Sequence, residues 1–421
     1  MFFVFFAGSA MEEVVVTGMG CVSPLGNDPE VLWKNLLAGK SGVSNIERFN
    51  TDEYPVHFAG EVKVFDPTPY FTEKELKRYP RNVLYAMHSA MTALEQSGLD
   101  LKTVNHSRAG VILASGMGGV DVYYNGSLTL ANKGPKYLSP YFMPSIISNL
   151  ASNFISIRLG WMGPSFATLS ACASSNYSLI SAVDQIRLGR ADIMIAGGSE
   201  ESVGPLALSG FSAMNALSRR NDSPETASRP FDKNRNGFVL GEGAGVLILE
   251  SRTHAENRGA KILASVPGVS LTADAYHISA PREDGKSVTN AIRYALKEAK
   301  IKPQQLRYIN THGTSSLRGD IAESIAIYNA YDGKIEGLKI NSTKSLIGHL
   351  LGAASAVESI VTILSLRDQK IHISKNIEEK DPDIIIDVVD KESIDYEFEY
   401  AICNSLGFGG HNSVVIFGKE S

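Results

Sequence analysis

Short runs of consecutive apolar residues alternate along the chain with longer stretches in which apolar residues recur at helical spacing. Residues 14–17 are mostly β-branched and are closed by Gly-Met-Gly, which predicts a buried strand. Seven similar runs follow at residues 110–114, 192–196, 245–249, 262–271, 308–310, 340–342 and 413–417. Because these runs are apolar at consecutive positions, they fit strands that are buried on both faces inside a layered sheet.

The helical spacing predicts helices at residues 84–97, 178–188, 288–299 and 353–366. Strands that alternate with helices indicate an α/β fold. The pattern is also doubled, because each half opens with a strand and contains a strand-then-helix unit that carries a reactive residue. This repetition predicts two tightly packed halves, residues 11–255 and residues 256–421, without a Pro/Ser-rich linker between them.

The composition narrows the class of protein. With 421 residues, of which 43% are hydrophobic, the chain can bury a large core in two domains or in one composite domain. A net charge of −5 gives no reason to invoke nucleic acid, and no apolar run reaches the length of a membrane span. Three cysteines without a Cys-x-x-Cys pair argue against a disulfide framework or a structural zinc site, and favour a reducing compartment.

Residues 1–10 stand apart from this pattern. They are largely apolar, but no basic residue precedes them, and the run is too short for a signal-peptide core with a normal cleavage region. Met11 is a plausible natural start just before the first predicted strand. We interpret residues 1–10 as the stub of a processed leader or a cloning remnant that lies outside the fold.

Cys172 lies where a strand-like stretch gives way to small residues and then to a predicted helix. This order predicts a cysteine at a helix N-terminus, where unpaired backbone N–H groups and the helix dipole favour the thiolate. A thiolate is a competent nucleophile towards a thioester. The alternative is that Cys172 is a small buried hydrophobic residue, as most free cysteines are.

Two histidines of the second half each follow a predicted strand. His312 comes after residues 308–310, and His349 comes after residues 340–342 and before a predicted helix. If they meet Cys172 at the seam between the halves, the three form a set suited to acyl transfer and enolate stabilisation. A metal site is a weaker interpretation because the spacing matches no compact zinc pattern, and a lone histidine is most often structural.

Two glycine-rich segments indicate positions where the backbone approaches a ligand. Residues 404–412 place Phe408 in a turn, which suggests a backbone donor beside a movable aromatic ring. The alternative is a plain tight turn before the last strand. Residues 115–119, Ser-Gly-Met-Gly-Gly, form a second candidate cradle, although they lack the Lys-Ser/Thr ending of a phosphate loop.

Taken together, these segments resemble the β-ketoacyl-acyl carrier protein synthases of the I/II type, which have the thiolase-like fold. The resemblance covers the chain from about residue 12 onward. It is carried by VVVTGMG, SGMGG, SACAS, the run at residues 216–245, DAYHISAPREDG, THGTSS, NSTKSLIGHLLGAASAVES and NSLGFGGHNS. It implies an α/β fold with two pseudo-repeated halves in a layered α-β-α-β-α arrangement.

The resemblance also implies a reaction, the decarboxylative Claisen condensation of fatty acid biosynthesis. In this reaction Cys172 accepts the acyl group, and malonyl-acyl carrier protein supplies the second carbonyl compound with loss of CO2. The backbone N–H groups of Cys172 and Phe408 would form the oxyanion hole, and Phe408 would act as a gate. His312 and His349 would bind the malonyl thioester carbonyl and stabilise the enolate.

Further residues follow from the same motifs. Lys344, paired with Glu358, would sit behind the histidines and set their charge state. The resemblance implies five residues in substrate binding. Thr314 and Ser279 would contact the phosphopantetheine arm, Met117 and Phe211 would line the acyl tunnel, and Glu358 is the fifth. The residues implied in docking an acidic acyl carrier protein are Lys74, Lys77, Arg78 and Lys136. Without the resemblance, these basic residues would be an ordinary solvated helix face.

The remaining expectations concern partners and compartment. The resemblance implies a homodimer and no cofactor, because the phosphopantetheine arm arrives on the carrier protein. It implies no catalytic metal, no nucleic acid and no membrane. A soluble protein of the bacterial cytoplasm or of a plastid-type organelle fits the sequence equally well.

Departures from the usual family pattern fall at Ser170, Ser174, Ser175, Asn215, Ser316, Arg318 and Ser355. None of them removes a catalytic atom, but they bear on chain-length preference and on affinity for the carrier. Three alternatives stay open. A polyketide ketosynthase has the same Cys-His-His set, a chain-length-factor-like partner subunit lacks the nucleophile, and a cysteine hydrolase would release free acid.

Overall fold

The computed structural model describes residues 11–420, so the expected leader at residues 1–10 lies outside the described part. The strands are β1 (Val14–Val22), β2 (Ser44–Asn45), β3 (Phe58–Ala59), β4 (Ala109–Ala114), β5 (Ser165–Phe166), β6 (Ile193–Glu200), β7 (Gly243–Ser251), β8 (Ala264–Ala273), β9 (Leu306–Asn310), β10 (Lys339–Asn341), β11 (Lys370–Ile371), β12 (Ile394–Asp395), β13 (Tyr400–Gly407) and β14 (His411–Gly418). The α-helices are α1 (Pro29–Leu37), α2 (Glu73–Leu76), α3 (Arg81–Ser97), α4 (Val120–Lys133), α5 (Phe142–Ile146), α6 (Leu150–Leu159), α7 (Ser174–Arg187), α8 (Pro205–Ala213), α9 (Arg252–Asn257), α10 (Lys286–Ala299), α11 (Leu317–Ala330), α12 (Lys344–Ile347) and α13 (Ala354–Asp368).

Ten of these strands form one mixed sheet in the order β10-β9-β13-β14-β8-β1-β7-β6-β4-β5. In its first half, β7 pairs antiparallel with both β1 and β6, and β4 pairs parallel with β6 and β5. In its second half, β14 pairs antiparallel with both β8 and β13, and β9 pairs parallel with β13 and β10. The halves join where β1 pairs antiparallel with β8. The same pairing pattern therefore occurs twice, which confirms the predicted pseudo-repeated α/β fold.

Helices cover the outer face of each half of the sheet, and two further helices lie between the halves. Helices α3 and α6 pack on the outer face of the first half, and α10 and α11 pack on the outer face of the second. Helices α7 and α13 contact strands of both halves and contribute to a shared central core. The order of layers is thus α-β-α-β-α, and the N-termini of both central helices lie at the seam. None of the helices in residues 11–420 has the length and apolar character needed to cross a membrane.

The Gly-Met-Gly segment does not end β1, contrary to the sequence prediction. Gly18 and Gly20 lie inside the strand and pack against α3. A Cβ on Gly18 would stand 2.1 Å from the carbonyl oxygen of Ala93, and a Cβ on Gly20 would stand 2.0 Å from that of Ser89. Glycine at these positions therefore permits close contact between strand and helix, and β1 continues through it.

The last glycine-rich segment also begins inside a strand. Residues 404–407 belong to β13, and only residues 408–410 form the turn to β14. Gly409 and Gly410 have φ angles of 85° and 76°, in the left-handed region that favours glycine. The sequence predicts a turn over the whole segment, but its first four residues pair with β14 and bring the turn to the seam.

Candidate active site

Three side chains from different elements meet at the seam between the two halves. Cys172 precedes α7, His312 follows β9, and His349 lies between α12 and α13. The Sγ atom of Cys172 and one ring nitrogen of each histidine all lie within 4.8 Å of one another. The two imidazole rings are 5.4 Å apart between centroids and nearly perpendicular, at 84°. The structure thus brings together the three residues that the sequence singled out.

A tight turn holds Cys172 in front of α7. Ala171 has a φ of 49°, a left-handed value that is strained for a residue with a side chain. The hydroxyl of Ser174 secures the turn, because it donates to the carbonyl oxygen of Ala171 over 2.6 Å and accepts from the N–H of Ser170 over 2.8 Å. Gly407 packs against the same turn, where a Cβ would stand 2.5 Å from the Ser170 carbonyl oxygen. Cys172 therefore sits at the start of α7, as predicted.

Cys172 is a buried thiol at rest. Burial raises its pKa to about 12, and the charge of Lys344 and the N–H groups of Phe408 and of Cys172 itself oppose this shift only in part. The sequence predicts that the helix N-terminus favours the thiolate, but the loss of water outweighs that effect in the resting site.

Two backbone donors favour the thiolate of Cys172, because they lower its pKa against the effect of burial. They are the N–H groups of Phe408 and of Cys172 itself. Phe408 lies in the turn between β13 and β14, and Ser405 fixes that turn by donating its hydroxyl to the Cys172 carbonyl oxygen over 3.2 Å. Two fixed backbone N–H groups beside the sulfur are also suited to stabilise an oxyanion on a carbonyl carbon bonded to it.

Both histidines are neutral and have unpartnered ring nitrogens. Burial lowers the pKa of His312 and of His349 well below its usual range, and the positive charge of Lys344 lowers both further. Among residues 11–420, the buried atoms without a hydrogen-bond partner include Nδ1 of His312 and both ring nitrogens of His349. Because a buried polar atom without a partner costs free energy, this pattern indicates that a ligand supplies the missing partner.

Lys344 and Glu358 form a buried ion pair next to the histidines. Each side chain is only 1% exposed, and neither lines the cavity that contains Cys172. The resemblance placed Lys344 among catalytic residues and Glu358 among substrate residues. Neither side chain reaches the cavity, so their assignment to catalysis and to substrate binding stays a prediction. Their place beside the histidines favours a positioning role: the cation of Lys344 adds to the effect of burial on the pKa of both histidines, and the carboxylate of Glu358 balances its charge.

Glu323 of α11 holds the backbone that carries His312. Its carboxylate accepts the N–H groups of His312 and Gly313, each over 2.8 Å, and the side-chain amide of Asn404 over 2.6 Å. Burial raises the pKa of Glu323 to about 7, and the donated N–H groups oppose this shift. The carboxylate links the end of β9 to β13, so it fixes His312 relative to the strand that leads to Phe408.

Glu200, which the sequence analysis did not single out, fills the candidate backbone cradle at residues 115–119. It ends β6 and is fully buried. Its carboxylate accepts the N–H groups of Gly116, Met117 and Gly352 over 2.7, 3.2 and 3.0 Å, and the hydroxyl of Ser115 over 3.0 Å. Burial raises its pKa to about 7. The cradle therefore binds a carboxylate of the protein itself, and this contact joins the two halves at the seam.

A cavity of about 500 Å³ extends outward from the three reactive side chains. One part of its wall is aromatic. The ring of Phe238 packs edge-on against His349 with 5.3 Å between centroids, and Phe211 packs edge-on against Phe238 at 5.4 Å. Exposed side chains such as Leu317 and Arg318 also line the cavity and mark its open end.

Three of the implied substrate residues line this cavity, namely Thr314, Ser279 and Phe211. The hydroxyl of Thr314 shares a 2.9 Å hydrogen bond with that of Ser316, which is also on the wall. Met117 does not line the cavity. It packs instead against the apolar cluster that contains Cys172, so its place in an acyl tunnel stays a prediction.

The four implied docking residues lie outside the cavity. Lys74 and Lys77 are exposed at the short helix α2, and Lys136 is exposed after α4. The guanidinium of Arg78 lies 4.0 Å from the centre of the Tyr141 ring, a cation–π contact that connects the α2 region to the segment before α5. Their role in docking a carrier stays a prediction.

Two of the serines that depart from the usual family pattern are hydrogen-bond partners in the structure. Ser175 of α7 and Ser355 of α13 share a hydrogen bond between their hydroxyls over 2.8 Å. Ser355 also accepts the N–H of Asn176 over 3.0 Å, and Ser175 accepts the N–H of Ala356 over 2.9 Å. The two serine hydroxyls therefore satisfy each other's hydrogen-bonding capacity between the central helices α7 and α13.

The arrangement supports two kinds of carbonyl chemistry. A thiol beside two converging N–H donors can accept an acyl group, and neutral imidazoles can donate hydrogen bonds to a second carbonyl oxygen that gains negative charge. Cys172, His312 and His349 are also the one group of potential metal ligands among residues 11–420. However, the converging donors and the nearby cation of Lys344 suit a developing anion better than a metal ion.

Comparison with known families shows which proteins this chain resembles. It matches the family models described as "Beta-ketoacyl synthase, N-terminal domain" over residues 11–255 and "Beta-ketoacyl synthase, C-terminal domain" over residues 263–378. It is 44% identical over 409 residues to "3-oxoacyl-[acyl-carrier-protein] synthase I, chloroplastic" of Arabidopsis thaliana, with 96% of this chain and 86% of that protein covered. It is 44% identical to "3-oxoacyl-[acyl-carrier-protein] synthase 2" of Vibrio harveyi over 410 residues, with 97% and 98% covered.

Solved structures show the same similarity. A β-ketoacyl synthase from Burkholderia phymatum superposes with a TM-score of 0.91 and 31% identity, with 98% of this chain and 100% of that chain covered. A second structure is described as a type II PKS acyl-carrier protein in complex with its ketosynthase bound to the hexaketide. One of its chains superposes with a TM-score of 0.91 and 32% identity, at the same coverage of both chains.

Proposed function

The chain belongs to the beta-ketoacyl synthase family, and on this premise we propose that it is a 3-oxoacyl-[acyl-carrier-protein] synthase of fatty acid biosynthesis. It joins an enzyme-bound acyl group to malonyl-acyl carrier protein and forms 3-ketoacyl-acyl carrier protein and CO2. The observation that carries the proposal is the meeting of Cys172, His312 and His349 within 4.8 Å at the buried end of one cavity.

In the first half-reaction, the thiolate of Cys172 attacks the carbonyl carbon of the acyl thioester. The electron pair moves onto the carbonyl oxygen, which the N–H groups of Cys172 and Phe408 stabilise. Collapse of this intermediate breaks the bond to the carrier sulfur. The carrier leaves as a thiol with the proton that Cys172 gave up, and the acyl group stays on Cys172.

In the second half-reaction, the malonyl thioester places its carbonyl oxygen at His312 and His349. Cleavage of the bond to the carboxylate releases CO2 and leaves an enolate, which the imidazoles stabilise by donating hydrogen bonds. The enolate carbon then attacks the acyl carbon, the bond to Cys172 breaks, and its sulfur regains a proton from solvent. Neutral imidazoles suit this role because the pKa of each is held low.

The comparisons support the fatty acid branch over the alternatives. Identity reaches 44% with bacterial and chloroplastic 3-oxoacyl-[acyl-carrier-protein] synthases, against 32% with a chain of the polyketide complex. A chain-length-factor-like subunit would lack the nucleophile, whereas this chain has Cys172 and both histidines. The bacterial and chloroplastic relatives fit either of the two compartments that the sequence suggested, the bacterial cytoplasm or a plastid-type organelle.

Mass spectrometry of the intact protein tests this function. With acyl-carrier thioesters of increasing chain length, the protein should gain the mass of the acyl group on Cys172. Addition of malonyl-carrier protein should remove that mass and yield a longer ketoacyl product. Acylation that ends in free acid would assign the protein to the hydrolases, and no acylation at any chain length would indicate a silent partner subunit.

The histidines separate the two half-reactions in the same experiment. His312→Ala and His349→Ala should each retain self-acylation but lower malonyl decarboxylation by about 10²–10³-fold, because each removes a donor to the enolate. His106→Ala is the matched control, since His106 lies outside the cavity. Equal loss of both half-reactions would indicate structural damage instead of a role in decarboxylation.

The substrate partner in this proposal is an acyl carrier protein. The solved complex of a carrier protein with its ketosynthase, which superposes at a TM-score of 0.91, supports it. Lys74, Lys77, Arg78 and Lys136 supply basic charge for an acidic carrier. Because the phosphopantetheine arm arrives with the carrier, the reaction needs neither a resident cofactor nor a metal ion.

A homodimer is the second part of this proposal, and two surface features support it. Strand β5 is the last strand at one end of the ten-stranded sheet, so its outer edge is open to pairing with another copy. The segment that leads to β5, from α4 through α6, carries exposed apolar side chains at Tyr123, Leu128, Leu130, Tyr141, Met143 and Ile147. Exposed apolar groups beside an open strand edge are typical of a subunit interface.

Light scattering during gel filtration tests the dimer. The protein should elute with twice the mass of one chain, and Met143→Glu together with Phe166→Asp should shift it to the mass of one chain, because both changes bury a charge in the interface. Tyr294→Glu is the control, since Tyr294 is exposed on α10 of the other half. Elution of the unchanged protein as a single chain at micromolar concentration would contradict the dimer.

A further inference from the structure

Alternate residues of the segment 312–318 line the cavity with polar side chains of different kinds. The side chains of His312, Thr314, Ser316 and Arg318 all line the cavity. Ser315, between them, is fully buried away from it, and its hydroxyl accepts a backbone N–H over 3.1 Å. His312 is buried, Thr314 and Ser316 are half-buried and Arg318 is exposed, so the wall presents an imidazole, two hydroxyls and a guanidinium from its buried end outward.

Arg318 stands at the open end of the cavity with its charge available. Its side chain is 73% exposed, and the one salt-bridge contact it makes within residues 11–420 is with Glu283, at 4.0 Å. Glu283 is itself 75% exposed, and an ion pair this long and this exposed contributes almost nothing to stability. Arg318 is also the second residue of the fourteen-residue helix α11, whose N-terminus adds to the positive field.

The other arginine on the cavity wall is already paired. Arg282 donates two hydrogen bonds to the carboxylate of Asp284, over 3.0 and 2.7 Å. Asn215, a further wall residue, accepts a hydrogen bond from Arg219 over 2.8 Å. Of the two arginines that line the cavity, Arg318 is therefore the one whose hydrogen-bonding capacity is open.

We propose that Arg318 binds the phosphate of the carrier's phosphopantetheine arm while the thioester at the other end of the arm lies at Cys172. This inference rests on the proposed function and assigns a specificity-determining residue to it. The arm presents in sequence a thioester, two amides and a phosphodiester. The wall presents groups that bind them in the same order: the imidazole of His312, the hydroxyls of Thr314 and Ser316, and the guanidinium of Arg318.

Charge and geometry make a phosphate the ligand that fits Arg318. A guanidinium is a planar fork of donors that forms bidentate, charge-assisted hydrogen bonds with phosphate oxygens. The amides of the arm are neutral and are already matched by hydroxyls deeper in the cavity. A contact with the phosphate is the same before and during the chemical step, so it strengthens substrate binding without changing the rate of acyl transfer from the bound complex.

Paired acyl donors that differ only in the phosphate test this assignment. Acylation of Cys172 is followed by intact mass with an acyl-pantetheine, the corresponding acyl-phosphopantetheine and the acyl-carrier protein. Arg318→Gln should raise KM by about tenfold for the two phosphate-bearing donors, with little change in kcat and none with the acyl-pantetheine. Arg318→Lys, which keeps the charge without the fork, should recover part of the loss.

A matched control variant and a fourth donor, acyl-coenzyme A, complete the experiment. Arg293→Gln removes an exposed, paired arginine on α10 outside the cavity, and it should leave the KM values for the first three donors unchanged. Equal effects of Arg318→Gln on both pantetheine donors, or no effect on either, would overturn the proposal. A loss with acyl-coenzyme A but none with acyl-carrier protein would assign Arg318 to the pyrophosphate of the free coenzyme and would overturn its assignment to the carrier.

Acylation of the unchanged protein by the same donors distinguishes a failure of this inference from a failure of the proposed function. If the unchanged protein is acylated by these donors without preference for the phosphate, the inference on Arg318 fails and the proposed function stands. If no donor acylates it, both fall together.

Discussion

Cys172→Ala is expected to abolish acyl-enzyme formation and to lower condensation by about 10⁴-fold or more, because no other group can form the covalent intermediate. The protein should remain folded. The side chain that is removed is small and borders the cavity, so the free energy of unfolding should fall by only about 1–2 kcal/mol. The measurement is intact mass for acylation, product formation for condensation, and urea unfolding for stability.

Cys21→Ala is the matched control for this experiment. Cys21 is fully buried in β1 and lies outside the cavity, so its removal costs stability without touching the reaction. It should keep both acylation and condensation. Condensation that survives in Cys172→Ala would sink the assignment of Cys172 as the nucleophile.

Cys172→Gln extends the argument to the second half-reaction. The glutamine side chain places an amide carbonyl near the N–H groups of Cys172 and Phe408, and so resembles the acylated cysteine. This variant should decarboxylate malonyl-carrier protein faster than the unchanged protein, without forming a condensation product. An unchanged rate of CO2 release would argue against a site in which acylation prepares His312 and His349 for the malonyl group.

His312 was accessible to sequence reasoning because it follows a strand that is easy to recognise, whereas His349 follows the short helix α12 and Cys172 follows a turn after the two-residue strand β5. Runs such as 308–310 are apolar at consecutive positions, so both the strand and its end can be predicted. In a fold with doubled halves, strand ends with reactive residues come together at the seam. The meeting of Cys172, His312 and His349 therefore follows from local patterns and the pseudo-repeat.

Other features depend on contacts between distant segments. Gly18 reads locally as a strand breaker, but it is required by the approach of the Ala93 carbonyl on α3. In the sequence Glu200 looks like an ordinary acidic residue, although a carboxylate at the end of the buried strand β6 is a signal that could have indicated its role. Its partners at Met117 and Gly352 come from two remote turns, which no local pattern connects.

Two departures from the family pattern illustrate the same limit. In the sequence, Ser175 and Ser355 are two separate departures from the family pattern. In the structure they are one feature, because their hydroxyls bind each other between α7 and α13. The resting charge of Cys172 is a further case, since its pKa depends on how completely the folded protein excludes water from the sulfur.

The second large effect is expected from Lys344→Met. This change leaves the carboxylate of Glu358 buried without its cation, which should lower the free energy of unfolding by about 3–5 kcal/mol. Burial already raises the pKa of Glu358, and the loss of Lys344 should raise it further, so that the carboxyl group takes up a proton. Urea unfolding measures the loss of stability.

Lys344→Met should also change the pH dependence of the reaction. The charge of Lys344 lowers the pKa of both His312 and His349, so that the imidazoles stay neutral as the pH falls. Without this charge each pKa rises towards its usual value, although burial still holds it down. The imidazoles therefore become protonated at a higher pH, and the acid limb of the decarboxylation profile should move to higher pH.

The double variant Lys344→Met/Glu358→Gln separates the structural role of the ion pair from its electrostatic role. A neutral amide in place of Glu358 needs no buried counter-charge, so the double variant should recover most of the stability that Lys344→Met loses. It still lacks the cation beside His312 and His349, so its acid limb should stay shifted. If the double variant recovered both stability and the original pH profile, Lys344 would only support the fold. Recovery of stability alone would show that the positive charge of Lys344 adds to burial in lowering the pKa of both histidines.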